Sequence, residues 1–536
     1  MIKDLGVMIN CSSGAVKTVA YLKEFIGNLK KMGYTYVMLY TENTYEIEGE
    51  PFFGYLQGRY TKAELKEIDA YCVSIGIELI PCIQTLAHIG GLFQWKTYRP
   101  LWNGDVALNV GVDRTYDLIE KMIETCAECF TSRRINLGMD EADYAVEGIY
   151  AKQNGNVDKL DFFFKHVERV ADIAAKYHFK SFIWSDMLFK FSGSRYCREN
   201  SFLPEKAVKE FPKDKANLIF WCYFENEQIY DNMLKLQKQI GCEVWFAGAA
   251  CNWMGFATSN FHSIEKTRMA IRSCNKLGVQ NFCSTLWGGN HCSDYNVLPT
   301  LLYTAECARG NDSIENAKQK FTELFGEDWD DFNLFDMLMP EYIKITDDIT
   351  TGGKELFYSD PFSGKFDSTI TDEYLEEKVY GEYAKKFADA KKRSKNFAHL
   401  FEKSEKYCNT LAFKYCLGAK TRKAYESKDK EKIRELIPLY QQAAENMREF
   451  LSAWQKVFFV ENKAGGFVRA DIMVGGTIQH LESCKARLQL YVDGKIDKID
   501  ELEEKLIDYY GGEVFEKRMP KQEQGFGTLV SAQEFF

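Results

Sequence analysis

The sequence predicts an α/β protein, a (β/α)8 TIM barrel carrying an appended all-helical C-terminal domain. Three observations predict it. Short apolar runs rich in β-branched residues alternate with amphipathic stretches through the first 310 residues, the pattern of repeated βα units on a parallel sheet. There are eight such runs, each followed by a helical pattern, which suits a closed barrel better than an open doubly wound sheet. After Pro340 strand patterns vanish and charged helical repeats take over.

Taken in order, the expected strands are 6–10, 36–40, 78–83, 134–138, 181–184, 218–222, 243–247 and 282–286, each a short apolar run. Helical periodicity fills the intervals at 16–31, 61–74, 113–129, 160–177, 228–240 and 261–277, and again at 298–307 after the last strand. A boundary is expected near residue 345, dividing a barrel domain (1–345) from a helical domain (346–536), with a linker at 350–354 containing Gly352 and Gly353. Beyond it, 373–458 reads as two or three long helices, 472–491 and 496–510 as further helices, and 511–536 as irregular.

Composition narrows the function. The 536 residues are 46% hydrophobic and 27% charged, ordinary values for a globular protein. Lys and Arg total 68 against 78 Asp and Glu, a net charge of −10. That balance lacks the basic footprint of a nucleic-acid binder. No apolar run is long enough to span a bilayer, and the first 14 residues lack the apolar stretch of a secretory signal. No membrane association and a cytoplasmic location are therefore expected. The 16 cysteines are scattered and read as reduced thiols, since a chain of this length needs no disulfide framework. Cys126 and Cys129 form a CxxC within a helical stretch with no second ligand pair nearby, a chance spacing rather than a zinc or redox site.

A barrel of this kind holds its active site at the C-terminal ends of the strands. The polar residues just past the expected strands are Glu42, Gln84, His88, Asp140, Glu141, Asp186 and Tyr223, with Trp184, Trp221, Trp253 and Trp287 on or after strands five to eight. Tryptophans around a carboxylate pair suit a carbohydrate, because sugar C–H faces stack on aromatic rings while carboxylates handle hydroxyls and acid catalysis. The same residues have plainer readings. Asp140 and Glu141 would also suit a helix N-terminus, Glu42 a rim salt bridge, His88 a satisfied loop histidine, and Trp184 and Trp221 the top of the barrel core.

Ile135 through Glu141 (INLGMDE) is similar to the His/Asn-x-Gly-x-Asp-Glu motif of glycoside hydrolase family 20, the exo-acting β-N-acetylhexosaminidases. Pro81 through His88 has the spacing of that family's Pro-Glu-Ile-Asp-x-Pro-Gly-His segment, and Leu39 through Asn43 resembles its acidic strand-two segment. The segments at Trp184–Met187, Trp221–Tyr223, Phe246–Trp253 and Leu286–Gly288 resemble a bacterial subgroup with a barrel and a helical C-terminal domain. The resemblance implies catalytic Asp140, Glu141, His88, Glu42 and Tyr223, with Trp184, Trp221, Trp253, Trp287 and His291 at the sugar, no metal and no cofactor. Tyr295 competes with Tyr223 for the phenol at the acetamido oxygen.

Adjacency has a mechanistic consequence. The Cα atoms of Asp140 and Glu141 are about 3.8 Å apart, whereas a retaining enzyme with a protein nucleophile needs two carboxyls roughly 5–5.5 Å apart that flank the bond. The resemblance implies the answer: the sugar's own 2-acetamido oxygen attacks C1, Asp140 holds the acetamido N–H, and Glu141 protonates the leaving oxygen and then activates water. A neighbouring carboxylate and partial burial would favour a protonated Glu141. By resemblance, His88 contacts Glu141 and is itself oriented by Glu42.

Three segments depart from the family pattern. Asn10 through Ser13 lacks the usual Asp and Arg after strand one, Cys82 and Gln84 replace two acids at strand three, and Gly288 through Cys292 is short and carries no carboxylate. Losing acceptors for hydroxyls, at about 1.5–3 kcal/mol for each charge-assisted hydrogen bond, keeps a second reading open: a sugar-binding barrel that is non-hydrolytic or shifted in substrate, with His291 as a weaker hydroxyl partner. Hydrolysis through a metal on Glu42, His88 and Asp140 is disfavoured, because a His-rich ligand set is missing. The expected partner is a small oligosaccharide or glycoside. The sequence is compatible with a homodimer, in which the helical region completes the pocket from a second subunit, and with a monomer, in which it buttresses the barrel.

Overall fold

The computed structural model describes residues 1–12, 14–338, 354–364, 367 and 378–507. Eight parallel strands close into a barrel: β1 (Asp4–Asn10), β2 (Tyr36–Glu42), β3 (Glu78–Ile83), β4 (Arg134–Asn136), β5 (Lys180–Trp184), β6 (Ala216–Trp221), β7 (Val244–Ala249) and β8 (Asn281–Leu286). Each pairs with its sequence neighbours, and β8 closes onto β1 with Leu5 opposite Phe282 and Ile9 opposite Leu286. The fold class expected from the sequence is the one observed.

Two layers of apolar side chains hold it together. Alternate strand residues point inward and fill the barrel, among them Met38, Ile80, Phe182, Trp184, Ile219 and Trp245, all buried. The other face of each strand packs under the surrounding helices, as period-two alternation requires. The helices begin and end where local chemistry dictates. Thr61 and Glu64 form a reciprocal capping box at the start of Lys62–Ser74, and Gly33, at φ 97°, closes Val19–Met32.

Strand four is shorter than expected. It stops at Asn136 because Gly138 (φ 76°) and Met139 (φ 72°) turn into left-handed conformations, which ends pairing and swings the next two residues over the barrel mouth. A Cβ on Gly138 would lie 2.2 Å from Gln84 Oε1 and 2.5 Å from the Ile83 carbonyl, so this turn requires glycine on two counts.

The helical region packs beside the barrel through helices Val379–Arg393, Ala398–Lys414, Leu417–Glu426, Lys430–Glu461 and Val468–Val492. The helix expected over 496–510 is contradicted in its described part, which is helical over Asp500–Glu503 alone before Glu504 turns extended. The boundary near 345, the glycines of the 350–354 linker, the start of the 373–458 stretch, and 511–536 lie outside the described residues. A buried charge cluster ties the two regions: Lys17 Nζ lies 3.3 Å from Asp294 Oδ2 and 3.8 Å from Glu461 Oε2. Backbone bonds add to it, with the Lys463 amide donating to the Val16 carbonyl. No disulfide joins any of the 16 cysteines, and no described helix is long and apolar enough to cross a membrane.

Candidate active site

The C-terminal strand ends surround a cavity of about 320 Å³. Glu42, His88, Asp140 and Glu141 line one side, Trp221, Tyr223, Trp253 and Trp287 the other, and Asn10, Ser12 and Tyr40 complete it. The structure therefore brings all five residues expected to be catalytic to one cavity.

The backbone of the acidic side is bent into conformations that ordinary residues avoid. Glu42 (φ 45°), His88 (φ 54°), Met139 (φ 72°) and Glu141 (φ 50°) are all left-handed and non-glycine, each at a cost of about 1–2 kcal/mol. Four such residues at the ends of β2, β3 and β4 are held there by the packing around them, a form of strain that collects at functional sites.

Asp140 and Glu141 are neighbours in sequence but not in environment. Asp140 has a side chain 10% exposed, whereas that of Glu141 is 49% exposed. Gln84 pins the first: its Nε2 donates to Asp140 Oδ1 at 2.7 Å, while its Oε1 accepts from the Met139 amide at 3.1 Å. Asp186 pins the second, accepting the Glu141 amide at 2.9 Å on Oδ2 and the Trp221 indole N–H at 3.3 Å on Oδ1. His88 Nε2 stands 3.4 Å from Asp140 Oδ2 and 3.4 Å from Glu141 Oε2. The two carboxylates are thus bridged by an imidazole rather than facing each other alone.

The charges follow from these positions. Burial works against the imidazolium of His88, but its contacts with Asp140 and Glu141 outweigh burial and raise it from 6.5 to about 11. It is a cation at neutral pH. Burial pushes Glu42 up to about 7, with His88 and the hydroxyls of Tyr40 and Ser12 partly offsetting the rise. The Tyr40 hydroxyl donates to Glu42 Oε1 at 3.1 Å, and the charge of His88 acts on Glu42 through space. Asp186 is likewise raised, by its complete burial first and by the nearby Asp140 second.

The aromatic side is built by ring contacts. Trp287 meets Tyr40 edge to face at 4.9 Å, and its indole N–H donates to the Tyr223 hydroxyl at 2.8 Å. Tyr223 stacks on Trp221 at 5.4 Å and meets Trp253 edge-on at 5.4 Å.

Three expectations are corrected. Trp184 is fully buried and belongs to the barrel filling, packed 6.2 Å from Trp287 beneath the cavity rather than lining it. His291 does not reach the sugar site. Its ring packs on Phe256 and on Trp454 of the helical region, and its carbonyl accepts from Lys403. Tyr295 is buried and donates to Glu24, which removes it as the acetamido phenol. Conversely, sequence reasoning misses Tyr40 and the bracing roles of Gln84 and Asp186. Gln84 stands out there as a polar residue past strand three and a departure from the motif, and Asp186 as a residue past strand five within a family-like segment, neither with a bracing role. Among the described residues, the grouping close enough to hold a cation is Asp360, His480 and Cys484, which belongs to the helical region and not to this rim.

Two family models match the chain. The one described as the catalytic domain of glycosyl hydrolase family 20 covers residues 36–242, and the one described as the glycoside hydrolase 20C C-terminal domain covers 332–520. The chain belongs to glycoside hydrolase family 20. The family 20 catalytic match includes Glu42, His88, Asp140, Glu141, Asp186, Trp221 and Tyr223, and it ends before Trp253 and Trp287.

Hexosaminidase D of Homo sapiens is 24% identical over 252 residues, 44% of this chain and 49% of its own length. The Bos taurus protein of the same name is 26% identical over 184 residues, 33% of this chain and 53% of its own. The chain thus spans about half the length of these relatives. Solved structures similar in fold include a β-N-acetylhexosaminidase of Bacteroides fragilis (TM-score 0.43, 19% identity, covering 57% of this chain and 65% of that one). Another is an exo β-N-acetylglucosaminidase of Vibrio harveyi (TM-score 0.46, 15% identity, 62% and 58%).

Proposed function

We propose that this family 20 protein removes terminal β-linked N-acetylglucosamine or N-acetylgalactosamine from glycosides, with retention, using the substrate's 2-acetamido group in place of a protein nucleophile. The observation that supports this most is the unequal carboxylate pair, one pinned and buried, the other half exposed, with a cationic imidazole 3.4 Å from both. The cavity of about 320 Å³ is at the small end for ligand sites. That suits a single terminal sugar.

The chemistry divides accordingly. The acetamide oxygen attacks C1 as the C1–O bond to the leaving group breaks, and Glu141 gives its proton to the departing oxygen. Asp140, held by Gln84, takes the amide N–H and balances the positive charge that spreads onto nitrogen. Glu141, now a carboxylate, removes a proton from water as that water attacks C1 and the ring of the cyclised amide reopens. His88, protonated and 3.4 Å from Glu141 Oε2, keeps its own proton and balances the negative charge of Glu141 between the two steps. The tethered nucleophile gains effective molarity, so no second protein carboxylate across the bond is required. Trp253 and Trp287 supply apolar walls for the sugar face and the acetamido methyl.

Incubation with 4-nitrophenyl β-N-acetylglucosaminide and β-N-acetylgalactosaminide tests this directly: nitrophenol release is expected from at least one. The thiazoline analogue of N-acetylglucosamine, which mimics the cyclised intermediate, should inhibit at far lower concentration than N-acetylglucosamine itself. Sugar binding measured by calorimetry without turnover on either glycoside would support the non-hydrolytic reading instead.

A further inference from the structure

Beside the catalytic cavity lies a larger one, of about 910 Å³, and the two share Glu141, Trp221, Tyr223 and Trp253. Glu141 is the acid assigned above to the leaving oxygen, so the space on its far side is where a leaving group must sit. Resting on that reading of the site, we propose that this second cavity is a leaving-group subsite for an anionic sugar, gripped by Arg195.

Besides the shared residues, Lys190, Arg195 and Arg198 line this cavity together with Asp143 and Glu225. Two of these cations are already committed. Lys190 Nζ lies 2.8 Å from Asp143 and 3.6 Å from Asp186, and Arg198 pairs with Glu225. Arg195 makes no ion pair and no side-chain hydrogen bond among the described residues, yet its backbone is anchored. Its carbonyl accepts from Ser201 Oγ at 2.7 Å and from Ser194 Oγ at 3.1 Å, and Ser194 Oγ in turn accepts the Phe202 amide.

An unpaired, exposed guanidinium on a braced loop, at the edge of a cavity that also borders the general acid, offers a planar fork to a carboxylate or sulfate. Trp221 and Tyr223, stacked on each other, offer the ring face beside it. A neutral leaving sugar would use the aromatics and leave the guanidinium facing only water.

The test compares three substrates at pH 6: N-acetylglucosamine β-linked to glucuronic acid, the methyl ester of that disaccharide, and N-acetylglucosamine β-linked to 6-sulfated glucose. The acid and its ester differ only in charge, so their kcat/KM ratio isolates the anion. The ratio should favour the acid by on the order of 10-fold, should shrink as salt is raised, and should fall to near unity in Arg195→Gln while Arg195→Lys keeps part of it. The sulfated substrate distinguishes a general anion site from a carboxylate site. A wild-type ratio near one, or a ratio unchanged in Arg195→Gln, overturns the proposal. If neither variant folds, the wild-type ratio and its salt dependence decide. Cleavage of nitrophenyl glycosides with no acid preference would defeat this subsite alone, whereas no cleavage of any β-N-acetylhexosaminide would defeat the hydrolase reading and this inference with it.

Discussion

The two sides of the barrel mouth are built on opposite principles. Strands β2 to β5 contribute an acidic side whose charges interlock: Gln84 holds Asp140, Asp186 holds Glu141, and His88 sits between the carboxylates. Strands β6 to β8 contribute an aromatic side in which rings hold rings, and the Trp287 indole N–H donates to the Tyr223 hydroxyl. The acidic side stores backbone strain and shifted proton affinities, whereas no left-handed non-glycine residue occurs on the aromatic side between Trp221 and Trp287. Damage should therefore show in different quantities: in turnover for the acids, in sugar affinity for the rings.

Glu141 should matter most. Glu141→Gln should lower kcat by on the order of 10³ with little change in fold, measured by nitrophenyl glycoside kinetics and circular dichroism. Asp140→Asn should cost on the order of 10² or more in kcat. Because the substituted amide keeps a carbonyl oxygen to accept from Gln84, thermal stability should stay close to that of the parent.

His88 gives a pH signature. Its folded-state affinity for a proton, about 11, lies above its ordinary 6.5, so its charge stabilises the fold fully below pH 6.5 and less and less as pH rises towards 11. The Tm advantage of the parent over His88→Gln should therefore be largest in mild acid and shrink through that window. A constant difference would contradict the bridging position.

Smaller effects belong to the rings and to Glu42. Trp253→Ala should raise KM by about 3- to 10-fold with kcat less affected, consistent with the loss of one stacking contact; a loss confined to kcat would contradict the division between acids and rings. For Glu42, burial raises the carboxyl from 4.5 to about 7, so ionising it costs stability that begins to be lost above pH 4.5 and levels off near 7. Glu42→Gln should gain Tm relative to the parent across that interval and hold the gain above it.

Much of this is legible from the chain alone, for identifiable reasons. Short apolar runs such as Tyr36–Tyr40 and Leu79–Ile83, rich in β-branched and aromatic residues and each followed by a helical pattern, read as strands buried on both faces, and the motif residues past them mark the rim. Strand-end side chains are harder, because which layer of the barrel a residue enters depends on its register with neighbouring strands. Trp184 and Trp221 look alike in sequence, yet Trp184 falls in the inward layer with Phe182 and Trp245 while Trp221 reaches the cavity. His291 misleads because its ring is claimed by Trp454, far away along the chain. Gln84 looks like a lost acid, whereas its two-headed amide serves Asp140 and the Met139 amide at once, a double duty that a carboxylate without a donor could not perform.

Whether the substrate's amide is the nucleophile is decided most directly by hydrolysis of 4-nitrophenyl N-acetylglucosaminides whose acetyl methyl carries zero to three fluorines, a nearly isosteric series in which the carbonyl oxygen becomes steadily less nucleophilic. With the amide as nucleophile, kcat/KM falls steeply and monotonically with each fluorine. A flat series, accompanied by a covalent sugar ester on the protein detected by mass spectrometry, would contradict it.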